Sequence, residues 1–169
     1  FLKQTQRRIN TAFRFVTHAQ DEAIAMSDRI AVMNQGAIEQ VGTPKEIYFH
    51  PRTRFAAGFF GDNNLIEGRQ AGSGIIDTAF GPLPAGTSRA TATGRKVLLA
   101  IRPESFRLGD GAAIIPAQIE DVMFGGAMTR LVLRTATGNS LNLRLPGKDA
   151  LSVGDSVRVT YDPADAVVI

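Results

Sequence analysis

Cysteine and tryptophan are both absent from the 169 residues. Without cysteine there is no disulfide and no thiolate metal site, a composition compatible with a reducing cytoplasm. No apolar run approaches the roughly 20 residues needed to cross a bilayer, so direct membrane insertion is not expected, and the first residues do not form a signal peptide. Charge of one sign is also scarce. Nineteen Lys and Arg against sixteen Asp and Glu leave a net +3, and the arginines are scattered, so despite a pI near 9.7 no nucleic-acid footprint emerges. Histidine is limited to His18 and His50, and His50, with no second ligand near it in sequence, reads as a turn residue.

What is present is enough for a packed core: 44% of the residues are hydrophobic, which argues against wholesale disorder. Phe1 to Asn10 places Leu2 and Ile9 on one face at i and i+7, the pattern of an amphipathic helix. The chain has no initiating Met and opens inside that helical pattern, as expected of a carboxyl-terminal piece of a longer subunit. Phe13-Arg14-Phe15-Val16 reads as a strand, followed at once by Thr17-His18. Thr17 with Gln20 fits a capping box, and Asp21 and Glu22 place negative charge in the first turn of a short helix. Ile30–Met33 and Ala37–Val41 flank Asn34-Gln35-Gly36 as a β-hairpin. Thr43 and Pro44 suit the N-cap and first position of another helix, which His50-Pro51 ends. A second short helix is expected within Thr53 to Phe60, its phenylalanines serving as core.

The string Val16-Thr17-His18, Glu22-Ala23, Asp28 to Met33, Gly36, Ile38, Gly42-Thr43-Pro44 and Ile47-Tyr48 resembles the end of the nucleotide-binding domain of ABC transporters. It is most similar to the ATP-binding subunits of bacterial importers for sugars, polyamines and ferric iron. The resemblance implies that His18 is the switch histidine, contacting the γ-phosphate of ATP and helping to position the attacking water. A donor there suits phosphoryl transfer, which is catalysed mainly by positioning and charge stabilisation. The family usually carries Asp after this histidine, where this chain has Ala19.

Other family motifs are missing. There is no G-x-x-x-x-G-K-[ST] loop to wrap phosphates, no apolar strand ending in paired acids for Mg²⁺, and no L-S-G-G-Q signature. ATP and Mg²⁺ are thus implied for the complete subunit, an ATPase, while the chain alone is expected to bind no cofactor or metal and to hydrolyse no ATP.

Gly61-Asp62-Asn63-Asn64 reads as a boundary, dividing a nucleotide-binding-domain piece over residues 1–61 from a second domain over 62–169. Beyond it, short strands are expected at Leu65–Glu67, Gly74–Asp77, Lys96–Ile101, Ala113–Met123, Thr129–Thr135, Ser140–Leu145, Ser156–Tyr161 and Ala166–Ile169. Ala71 to Thr93, rich in Gly, Ala, Thr and Pro, reads as a loose excursion. Many short strands with regular turns predict a sandwich or small barrel. Ala100-Ile101-Arg102-Pro103-Glu104, Phe124-Gly125 with Thr129-Arg130, and Val157 to Asp162 resemble the TOBE region of the same importers. The fold class implied is an α/β fragment of an ABC nucleotide-binding domain followed by an all-β OB-like (TOBE) barrel.

The resemblance further implies a homodimer with a second copy of the subunit, transmembrane permease partners, and a cytoplasmic location on the inner face of the membrane. The flanking text, GDNNLIEG and AIRPESFRL, is closer to the polyamine-type branch. Arg102 and Glu104, bracketing Pro103, are candidates for a regulatory-ligand cleft, against the plainer reading of a strand-end turn with an exposed or locally satisfied ion pair. Gly125-Gly126 reads as a hairpin or bulge. The alternative function is a stand-alone OB-like module for a small oxyanion or an oligonucleotide. Oligonucleotide reading needs aromatic platforms among basic residues, and Phe80, Phe106, Phe124 and Tyr161 are widely spaced and mostly explicable as core.

Overall fold

In a computed structural model, the chain is described over residues 11–86, 92–147 and 151–169, together with Thr5 and Arg8. Most of the helix expected over Phe1 to Asn10, and residues 87–91 of the Ala71 to Thr93 excursion, lie outside the described residues. The chain divides into two compact units, Phe1–Phe60 and Gly61–Ile169.

The first unit holds helix α1 (Gln20–Met26), strands β1 (Ile30–Asn34) and β2 (Ala37–Gly42), and helices α2 (Pro44–Phe49) and α3 (Arg54–Phe59). The hairpin turns on two residues, Gln35 at φ 48° and Gly36 at φ 85°. Positive φ at both central positions is the turn whose twist matches that of the flanking strands. Gly is unstrained there, whereas Gln35 adopts a conformation that a side chain disfavours. Thr43 caps α2 with a full capping box: its Oγ1 accepts from Glu46 N–H, and Glu46 Oε2 accepts from Thr43 N–H at 2.8 Å. Ile30, Val32, Ile47 and Phe60 form a small buried cluster, with Phe55 and Phe59 packed against it. Buried Gln40 ties down the chain after α2, donating to His50 O and accepting from Arg52 N–H at 2.8 Å.

Two expectations fail in this unit. Phe13–Val16 is no strand, and Val16 is 98% exposed. A strand needs a neighbour to satisfy its backbone groups, and β1 and β2 pair only with each other. The capping box at Thr17 does not form either, because the helix begins later and Ala19, with no side-chain acceptor, occupies the N-cap. Thr17 Oγ1 instead accepts from Ala19 N–H at 2.9 Å and donates to Glu22.

Among the described residues, the second unit is all-β apart from two short 3₁₀ turns. Its strands are β3 (Asn64–Gly72), β4 (Ile75–Thr78), β5 (Gly81–Pro84), β6 (Lys96–Ile101), β7 (Phe106–Leu108), β8 (Ile115–Phe124), β9 (Met128–Arg134), β10 (Ser140–Pro146), β11 (Ser156–Tyr161) and β12 (Ala166–Val168). They form two antiparallel five-stranded sheets, ordered β10-β9-β8-β11-β7 and β12-β6-β3-β4-β5. The alternation in Leu131–Arg134 and Leu141–Leu145 does what period two requires: Leu131, Leu133, Leu141 and Leu143 are fully buried. These side chains meet Ile66, Ile76, Leu99 and Ile101 of the other sheet in one core.

Strands β5 and β7 were not expected. The Gly-Pro-Leu-Pro of β5 hides a strand behind two residues that cannot donate to a ladder, which an edge position tolerates. Strand β7 is only three residues long, held by pairing with β11, and Phe106 packs edge-on against Tyr161 at 5.7 Å. Of the four barrel aromatics, Phe106 and Tyr161 are core and Phe80 packs against it, but Phe124 is 70% exposed at the β8–β9 hairpin. Gly125-Gly126 does form that hairpin's turn, with Gly126 at φ 81°.

Candidate functional site

His18 lies in a bend between Thr17 and the N-cap of α1, exposed, with no hydrogen bond or ion pair among the described residues. Beside it, Thr17 Oγ1 accepts from Ala19 N–H and donates to Glu22, which fixes the backbone just before the helix. The imidazole is therefore open to approach, and a neutral ring can donate from one nitrogen and accept at the other. Asp21 and Glu22 follow in the first helical turn, and where the family has an acid directly after the histidine, the methyl of Ala19 stands.

Arg102 and Glu104 have opposite surroundings. Arg102 is buried and opens the 3₁₀ turn Pro103–Ser105, its carbonyl accepting from Ser105 N–H at 3.0 Å, while Glu104 is exposed. The Arg102 guanidinium lies beside Gly61, where a Cβ would come within 4.0 Å of Nη1. Both residues are engaged in polar or electrostatic interactions within the chain. Of the two residues bracketing Pro103, Arg102 is thus interior and Glu104 faces solvent. A buried guanidinium is costly unless it is hydrogen-bonded or paired, which fits a residue engaged within the chain.

Sequence reading missed the side chain that closes the barrel seam beside Arg102. Asn64 is buried; its Nδ2 donates to Ile101 O and to Asn142 O, and its Oδ1 accepts from Asn142 N–H, both Asn142 bonds being 2.8 Å. It thereby joins β3 of one sheet to β10 of the other. The only sequence signal was the Asn63-Asn64 step after Gly61, which also reads as an ordinary turn. Among the described residues, no three of His, Asp and Glu gather as a metal-binding group. Phe106 and Tyr161 are taken up by the core, so among the described barrel aromatics only Phe124 stands well exposed, and one ring is short of the row of platforms on which successive bases stack.

Comparison with known proteins covers the same ground. Residues 99–169 match the TOBE domain model. The spermidine/putrescine import ATP-binding protein PotA of Rubrobacter xylanophilus is 35% identical over 99% of this chain and 48% of its own length. PotA of Oleidesulfovibrio alaskensis is 37% identical over the same shares. The sulfate/thiosulfate import ATP-binding protein CysA 2 of Chromobacterium violaceum is 42% identical over 85% of this chain and 40% of its own. The chain thus spans about half the length of the curated relatives it matches. Among solved structures, the molybdate-binding protein ModG superposes with a TM-score of 0.55 over 62% of this chain and 94% of ModG, at 16% identity, which shows a shared OB-like fold.

Proposed function

We propose that this chain, which belongs to the family of ATP-binding subunits of bacterial ABC importers and carries a TOBE domain over residues 99–169, is the carboxyl-terminal part of such a subunit in a polyamine-type import system. The observation that carries the reading is similarity to import ATP-binding proteins along 99% of the chain, through the first unit as well as the barrel. In this reading the domain boundary falls at 61/62, residues 1–61 completing a nucleotide-binding domain and 62–169 forming a regulatory and dimerising barrel.

The first unit supports that division. Strands β1 and β2 bury Ile30 and Val32 on one face, yet their outer face is also apolar, with Ala31, Met33, Ile38 and Val41 exposed. A sheet that is apolar on both sides is built to be covered on both sides. Phe13, Phe15 and Val16 are likewise exposed. The cover in this reading is the rest of the nucleotide-binding domain.

The residues of this chain do not by themselves fit a magnesium–nucleotide site, since the sequence has no phosphate-wrapping loop and no strand ending in paired acids, and no three of His, Asp and Glu gather among the described residues. ATP and Mg²⁺ would be held by the remainder of the subunit. His18 would donate a hydrogen bond to the terminal phosphate, and its imidazole, exposed and without a hydrogen bond or ion pair among the described residues, suits that task. The complete subunit would work as a homodimer on the cytoplasmic face of two permease subunits.

The test uses the complete subunit in its import complex. His18→Ala is expected to lower ATP hydrolysis and labelled spermidine or putrescine uptake by about 10²-fold, with nucleotide binding retained. Unchanged hydrolysis would remove His18 from the mechanism. Undiminished polyamine uptake in cells lacking the gene would remove the import assignment.

A further inference from the structure

The β7–β8 loop contains the sequence's only Asp-Gly step, at Asp110-Gly111, and the chain has no Asn-Gly step. We propose that this peptide is a site of spontaneous isoaspartate formation, restrained in the folded barrel by Arg158. The Gly111 amide nitrogen attacks Cγ of the protonated Asp110 carboxyl; a C–N bond forms, the C–OH bond breaks, and the amide proton and that hydroxyl leave as water. Water then opens the cyclic imide at one of its two carbonyls. Opening on one side restores aspartate. Opening on the other routes the main chain through Cβ and Cγ. One water is lost and one regained, and nothing is oxidised.

The attacking nitrogen belongs to a residue without Cβ, so nothing on Gly111 itself blocks the approach. The Asp110 side chain is 65% exposed, which gives water free access. Two features hold the step back. Arg158 Nη2 bonds both carboxylate oxygens, at 2.7 Å for Oδ2, and Cγ must leave that grip to turn toward Gly111 N. The backbone is tied to β11 on either side, by Gly109 N–H donating to Arg158 O at 2.8 Å and by Gly111 packing so closely on the Thr160 side chain that a Cβ would overlap it. Because the Arg158 pair is exposed, it opens often, so it slows the reaction and does not forbid it. Isomerisation inserts a methylene into the backbone just ahead of the buried Ala113 and Ile115, disturbing the entry to β8.

The experiment incubates the whole chain for weeks at 37 °C and neutral pH, then locates isoaspartate by electron-transfer fragmentation and by enzymatic methylation of its carboxyl. Isoaspartate is expected to accumulate at residue 110 ahead of every other Asp and Asn. Arg158→Ala should raise the rate by about 1.5- to 5-fold, the range an exposed ion pair supports. Arg134→Ala, which removes the comparable exposed pair to Glu120, should leave it unchanged. Asp110→Glu should abolish the product. Absence of isoaspartate at residue 110, or a preference for another site, overturns the assignment; equal rates in the parent and Arg158→Ala, or equal rises in both arginine variants, overturn the restraint by Arg158.

Discussion

Replacing Asn64 by alanine tests whether the barrel depends on a polar clasp between its sheets. The parent side chain makes three hydrogen bonds, two to the backbone of Asn142 at 2.8 Å and one to Ile101 O at 3.3 Å, from a site only 5% exposed. Each such bond contributes about 0.5–1.5 kcal/mol net, and truncation also strands the Asn142 N–H without its partner. Asn142 is half-buried, so water recovers part of the loss. The expected cost is about 2–4 kcal/mol, a large share of a domain's total stability. For a unit of about 100 residues this lowers Tm by roughly 10–25 °C. Hydrogen-exchange mass spectrometry under rising urea isolates the barrel from the first unit, and peptides covering β6 and β10 should lose protection first. A destabilisation below about 0.5 kcal/mol, with β10 protection unchanged, would refute the reasoning and leave the seam to apolar packing alone.

Three further outcomes follow from the same structure. Two hydrogen bonds from Thr43 hold the Glu46 carboxyl below the usual carboxylate range, so its contribution to α2 is complete above the unfolded-state value and is lost as pH falls through the lower folded one; amide shifts of Thr43 and Glu46 should record fraying in acid, and Glu46→Gln should remove that dependence. Burial raises the Tyr161 phenol well above its usual value, so ionisation favours unfolding as pH rises above that of a free tyrosine; absorbance titration should find the Tyr161 phenol still protonated in the native barrel where a free tyrosine ionises, and Tyr161→Phe should cost about 1 kcal/mol through loss of the bond to Pro84 O. Leu131→Ala, in the fully buried core, should destabilise by about 2–5 kcal/mol in urea denaturation, whereas Val153→Ala on the surface should stay within about 0.5.

Legibility in the sequence followed the physical cause of each element. Strands whose alternation is enforced by one buried face, such as β9 and β10, were readable because the pattern and the packing are the same fact. The hairpin of β1 and β2 was announced by its Gly36 turn, and α2 by Thr43, Pro44 and Glu46, all local chemistry. Strand β5 was hidden because its prolines argue against a ladder and only the edge position resolves the conflict. Phe13–Val16 failed for the opposite reason: its composition favours a strand, but strand formation needs a partner that composition cannot supply. His18 was singled out by its motif, and its exposure was not predictable from that motif. The interior position of Arg102 and the clasp of Asn64 arise from sheets meeting across long sequence separations, 78 residues for Asn64 and Asn142, and leave no local signature.

The prolines of β5 have a consequence for how these molecules behave in company. Odd-numbered positions turn their amides toward β4, as Ala85 N–H does in reaching Gly74 O, so Pro82 and Pro84 occupy the outward positions and offer no donor. The Pro84 carbonyl is already engaged by the Tyr161 hydroxyl. A stray strand arriving at this rim finds no backbone donor at Pro82 or Pro84, and filament growth by strand addition is disfavoured from that side of the barrel.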